Sequence, residues 1–159
     1  MRLKKCISII LIFVLIYSLS GCTNKNIQIS NNPENIKKIE ATISSEINGY
    51  SPMMSSTPGI PLNISFKANP GEDNIKFHWI TEQGTFLNWQ KDSGKISILG
   101  KDIKTNERKI YWSIAPNEKI NESIFKIYLK IEDNDTSKEI YETSVEIEQN
   151  KEGFFSIKK

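Results

Sequence analysis

Apolar side chains recur at every second position through most of this chain. In "IPLNISFKA", Leu62, Ile64, Phe66 and Ala68 alternate with polar neighbours, and Ile75, Phe77 and Trp79 do so in "IKFHWIT". The same pattern holds for Ile110, Trp112 and Ile114 in "RKIYWSI", and for Phe125, Ile127, Leu129 and Ile131 in "IFKIYLKIE". In "KEIYETSVEIE", Tyr141, Thr143, Val145 and Ile147 alternate with charged or hydroxyl residues. A period of two puts one set of side chains on one face of a strand, so each segment predicts a strand with one apolar face. "TFLNW" and "KISIL", the second bounded by Gly94 and Gly100, predict shorter strands, and "GFFSIKK" adds a terminal strand or trails loose. "NPGEDN" and "EDNDTS" supply turn residues between them.

Upstream the pattern is less decided. "IKKIEATISSEI" fits a first strand, but the spacing of Ile36, Ile39 and Ile43 also fits a short helix. "NGYSPMMSSTPG", with Pro52 and Pro58, predicts an irregular loop. About seven to nine short strands with single apolar faces must bury those faces against one another, and two antiparallel sheets packed as a sandwich do this. The fold class expected is therefore all-β, in one domain spanning 37–159. Its predicted core holds Phe66, Phe77, Trp79, Trp112, Phe125, Ile127, Leu129 and Val145, with the two indoles packed between the sheets.

The first residues follow another rule. Arg2, Lys4 and Lys5 precede the continuous apolar run "ISIILIFVLIYSLS", which has the form of a secretory signal segment over 1–21. The run from Ile7 to Leu19 is shorter than the roughly 20 residues that span a hydrocarbon core. It ends in "LSGC", with the small residues Ser20 and Gly21 before Cys22. This stretch resembles the lipobox of bacterial lipoproteins. The resemblance implies cleavage between Gly21 and Cys22, acylation of the Cys22 sulfur (a palmitate-type lipid modification), and anchoring on the extracytoplasmic face of the cell membrane. Two or more acyl chains suffice for stable anchoring. "TNKNIQISNNPEN" follows, polar and without period, so 22–36 is expected to be a lipidated cysteine and a flexible tether. Fully extended, Thr23 to Asn35 reaches roughly 40 Å. The weight of Asn, Ile and Lys fits an AT-rich, Gram-positive source.

Removal of that segment changes both charge and cysteine chemistry. Cys6 leaves with it, and an acylated Cys22 provides no disulfide, thiol nucleophile or thiolate ligand. The whole chain carries 21 basic and 19 acidic residues, and without Arg2, Lys4 and Lys5 the balance is 18 to 19. No net positive field remains to attract nucleic acid, which is excluded as a partner class.

Trp79 on the third strand, Gly84 and Phe86 after it, and "IYWSI" as a later core strand resemble the immunoglobulin-like and PKD-like modules of bacterial cell surfaces. The resemblance implies a two-sheet sandwich without the cysteine pair of antibody domains. Trp79, Gly84, Phe86, Trp89, "LG" and "IYW" are also similar to extracytoplasmic segments of some Firmicutes membrane metallopeptidase sensors, although the zinc-binding HExxH is absent.

Candidate chemistry is sparse. The single histidine, His78, lies between two core positions and so points outward, with no second His or thiol to build a nucleophile or metal set. No Gly-rich phosphate loop is present. If "NPGEDN" and "EDNDTS" meet at one end of a sandwich, Glu72, Asp73, Glu132, Asp133 and Asp135 form a carboxylate pole, a candidate for calcium, which needs six to eight oxygen ligands. Lys101, Lys104 and Arg108 would neutralise it from a neighbouring loop. Phe86 and Trp89, on a short segment expected at a sheet edge, are candidates for contact with a ligand. The expectation is a non-catalytic, membrane-anchored interaction module whose partner is another envelope protein. The alternative is a lipoprotein that binds a wall polymer, a sugar or calcium.

Overall fold

The computed structural model describes residues 39–67, 74–116 and 118–158. All of them belong to one compact unit, Lys37–Lys159. The signal segment, Cys22, the tether, Glu72 and Asp73 lie outside the described residues.

Ten strands form two antiparallel five-stranded sheets. They are β1 (Ala41–Ser44), β2 (Ile60–Phe66), β3 (Ile75–Thr81), β4 (Thr85–Gln90), β5 (Lys95–Gly100), β6 (Asp102–Thr105), β7 (Lys109–Ser113), β8 (Ile124–Asp133), β9 (Glu139–Gln149) and β10 (Phe155–Ile157). One sheet runs β1-β2-β7-β4-β5 and the other β10-β9-β8-β3-β6. Among the described residues no helix is long and apolar enough to cross a membrane.

One reading left open by the sequence is decided and one expectation changes, each for a local cause. The first segment is a strand, because Ala41 and Ile43 pair with Phe66 and Ile64 of β2 and share their inward face. The run expected to be a loop around Lys101 and Lys104 contains β6, whose single buried residue, Ile103, lies opposite Trp79 of β3. One apolar residue in four is too little for a periodic signal, so the strand count rises to ten.

The core lies between the sheets. Phe77, Trp79, Trp112, Phe125, Ile127 and Leu129 are buried in it, and Phe66 and Val145 pack at its margin, partly buried. Trp112 stands 5.2 Å from Phe125 and 5.3 Å from Phe155 between ring centroids, and Trp79 stands 6.0 Å from Phe86. Such tilted and edge-on pairs add about 0.5–1.5 kcal/mol each beyond the area they bury.

The arch from β3 to β4 carries the chain between sheets and is held by polar groups. The Gln83 carbonyl oxygen accepts from the Thr81 hydroxyl at 2.7 Å and from the Trp112 indole N–H at 2.8 Å. The Gln83 side chain donates to the Glu122 carbonyl at 3.1 Å and accepts the Asn121 N–H at 2.6 Å, which ties the 121–122 segment to the arch. On the other side, Tyr50 pairs through its backbone with Phe155, while its hydroxyl lies 2.8 Å from Ser113 Oγ and donates to the Pro58 carbonyl. Burial pushes the Tyr50 hydroxyl above its usual pKa, with the Ser113 hydrogen bond opposing the shift. Residues 51–58 are thereby fastened near the Ser113 end of β7.

Candidate functional site

The outward face of an antiparallel sheet is normally polar. The first sheet obeys this only on one side. Alternation directs Thr42, Ser44, Asn63 and Ser65 outward on β1 and β2, as the pairs Thr42–Ser65 and Ser44–Asn63 require. Beyond β7 the same face becomes apolar: Tyr111 lies opposite Leu87, Leu87 opposite Ile98, and Trp89 opposite Ile96. Ile96 and Ile98 are 50% and 76% exposed. Tyr111 and Leu87 are buried, although both lie outside the inter-sheet core.

This apolar half-face ends at β5, an edge of its sheet. The other edges, β1, β6 and β10, have four, four and three residues, whereas β5 has six. Short edge strands limit pairing with foreign chains, and a longer apolar edge invites it. Four residues of β5, Lys95 to Ile98, pair in regular register with β4 before a shift between Phe86 and Leu87 leaves Leu99 unmatched.

Residues of the 50–58 segment wall the apolar face on one side. The resulting groove has a volume of about 670 Å³, lined among others by Pro52, Pro58, Leu87, Trp89, Ile96, Ile98 and Pro116. The Trp89 ring meets Tyr111 edge-on at 5.5 Å, and the Lys109 ammonium lies 5.8 Å from the Tyr111 ring centre while it donates to Glu46. Met53 and Met54 project from the wall into solvent.

Comparison with protein-family models, curated proteins and solved structures gives no match for the chain.

Phe86 and Trp89, paired as ligand candidates on the sequence, part company in the fold. β4 is an interior strand between β7 and β5, so Phe86 points into the core against Trp79 and is fully buried. Trp89, an odd number of residues away, takes the outer face with Leu87. Only Trp89 is placed to meet a partner.

Of the described acidic candidates, Asp133 and Asp135 stay together and Glu132 turns away. Asp133 Oδ1 accepts from the backbone N–H groups of Asp135 and Thr136 and from the Thr136 hydroxyl. These bonds hold its carboxyl below the usual range. Asn74 donates to both Asp133 and Asp135, so the two carboxylates are joined by an amide. Glu132 instead lies on the outer face of the second sheet, where Lys104 donates to it at 2.6 Å and His78 Nδ1 stands 3.1 Å away. Lys104, chiefly through that hydrogen bond, holds the Glu132 carboxyl below its ordinary value against the opposing effect of burial. Among the described residues no three His, Cys, Asp or Glu side chains are grouped to hold a metal ion.

His78 is more engaged than a lone surface histidine. Its Nε2 lies 2.7 Å from Asp102 Oδ1, and its side chain is only 16% exposed. The result is a cross-strand network over β6, β3 and β8, and its Asp102 and Lys104 also line an open pocket of about 360 Å³ with Asn88, Leu99, Thr105 and Glu107.

Proposed function

We propose that the protein is an extracytoplasmic, lipid-anchored lipoprotein whose immunoglobulin-like sandwich docks another protein of the cell envelope and catalyses no reaction. The anchor rests on "LSGC" and the apolar run before it. The immunoglobulin-like reading is supported by strand order: β9-β8-β3 lie side by side in one sheet and β2-β7 in the other, as G-F-C and B-E do in such domains. A buried tryptophan, Trp79, sits on the strand equivalent to C.

One observation carries the docking role: the apolar outer half-face of β7, β4 and β5, which runs unbroken into a free edge. Exposed apolar surface of this kind costs solubility and is expected where another chain covers it. The test is crosslinking in cells with a photoreactive residue at Ile98, and with one at exposed Lys126 on the other sheet as control. One envelope protein is expected from Ile98, none from Lys126, with capture lost in Cys22→Ala. Equal capture from both positions, or capture indifferent to the anchor, overturns the reading.

The groove beside Trp89 favours one second reading, a sugar or wall-polymer site with the indole as stacking platform. It predicts glycan-dependent quenching of Trp89 fluorescence and no protein adduct at Ile98.

A further inference from the structure

The free edge and the apolar half-face ask for the same occupant. We propose that the partner enters as an extended segment of polypeptide that adds a strand to β5, with alternate apolar side chains over Ile96, Ile98 and Trp89 and with a carboxylate at the end beside Lys91 and Lys95. The proposal rests on the docking reading above and names the chemistry of the partner.

One side of β5 pairs with β4, and its other side faces no strand among the described residues, so a row of amide and carbonyl groups is left to find partners. Strand addition satisfies that row, and the side chains of the added strand then fall on the two faces in turn. The outward set continues the row Tyr111, Leu87, Ile98 by one more strand. A sugar would meet the indole of Trp89 and leave the edge backbone unpaired.

Lys91 and Lys95 stand at one end of β5 with Asp92 beside them in sequence, while at the other end Lys101 is 3.8 Å from Glu118, and Asp102 and Lys104 are engaged with His78 and Glu132 on the other sheet. An acidic residue at the Lys91 and Lys95 end of the incoming strand complements this. A second copy of this chain does not, because neither apolar register brings an acid to Lys95: antiparallel pairing with Ile98 opposite Ile98 sets Lys95 against Lys101. The register with Ile96 opposite Ile98 sets Lys95 against Leu99.

The experiment is an NMR titration of the full chain in detergent with the acetylated, amidated peptide Glu-Val-Thr-Val-Thr-Val-Glu. Two further peptides carry N-methyl groups on one or the other alternate set of amides. Binding is expected for the parent, with at least a tenfold loss for one methylated peptide and little for the other, since only one set of N–H groups faces β5. Ile98→Lys, at a position 76% exposed, should weaken binding at least tenfold with an unchanged thermal midpoint. Equal binding of all three peptides overturns strand addition while leaving face docking intact. Absence of binding at millimolar peptide overturns it too, as does concentration-dependent dimerisation abolished by Ile98→Lys, which assigns the edge to a second copy. Failure of the Ile98 crosslink in cells, by contrast, removes the docking reading itself.

Discussion

Gly84 lies against the indole of Trp112. A Cβ built on this glycine falls 2.6 Å from ring atom Cζ2 and 2.4 Å from the Ser113 carbonyl oxygen, at a backbone φ of +70°. Both obstacles belong to the core, and neither is a flexible side-chain end. The left-handed backbone alone costs a non-glycine residue about 1–2 kcal/mol. Gly84→Ala should therefore destabilise by more than that, read as a lower denaturation midpoint with an unchanged m-value. Gly94, also at positive φ but with open space around it, should tolerate Ala at the backbone cost alone.

Gln83 binds two neighbouring backbone groups through its side chain and two further donors through its carbonyl oxygen. Substitution removes only the side-chain pair. Asn121 and Glu122 are exposed, so water replaces part of what is lost. Gln83→Ala should cost about 1–3 kcal/mol, and hydrogen exchange should rise at the Asn121 amide while the Trp112 indole N–H stays protected.

Trp79 is buried completely, and its indole N–H finds no acceptor among the described residues. Removing the ring opens a large cavity opposite Phe86. Trp79→Ala should cost about 3–5 kcal/mol by chemical denaturation, enough to unfold a domain of ordinary stability.

The Glu132 carboxyl is held below its ordinary value of 4.5, first by the hydrogen bond from Lys104. A depressed carboxylate contributes stability that is fully present above the unfolded value and lost as pH falls through the folded one. Wild-type stability should thus fall as pH drops below 4.5, and Asp133 and Glu146, both depressed, act in the same direction. Glu132→Gln should be less stable than wild type at neutral pH, with the gap closing below pH 4.5 in urea midpoints taken at successive pH values.

Much of the sandwich was legible because long strands alternate cleanly. Phe77 and Trp79 on β3, and Phe125 to Ile131 on β8, declare their faces without reference to neighbours. β4 and β5 do not, because both faces of each are apolar: Phe86 against Leu87, and Ile98 against Leu99. Which face meets the core depends on β7 and β5 flanking β4, a fact of topology that no local pattern carries. The His78 network is hidden for the same reason, since Asp102 and Glu132 are 24 and 54 positions away along the chain. Gln83, a polar residue beside a glycine, looks like a solvated turn. Its burial follows only from the arch closing over Trp112.

The separation of Phe86 from Trp89 gives a test that tells folding from docking. Phe86 fills the core against Trp79, so Phe86→Ala should cost about 3–5 kcal/mol. Trp89 rests on the outer face and touches Tyr111 edge-on, so Trp89→Ala should cost only about 1–2 kcal/mol, most of it that ring contact and the area buried with it. Crosslinking from Ile98 should nevertheless disappear in Trp89→Ala, because the partner loses its aromatic platform. A Trp89→Ala protein that folds and still captures its partner with wild-type yield would move the docking surface away from this face and toward the exposed Met53 and Met54 on the wall beside it.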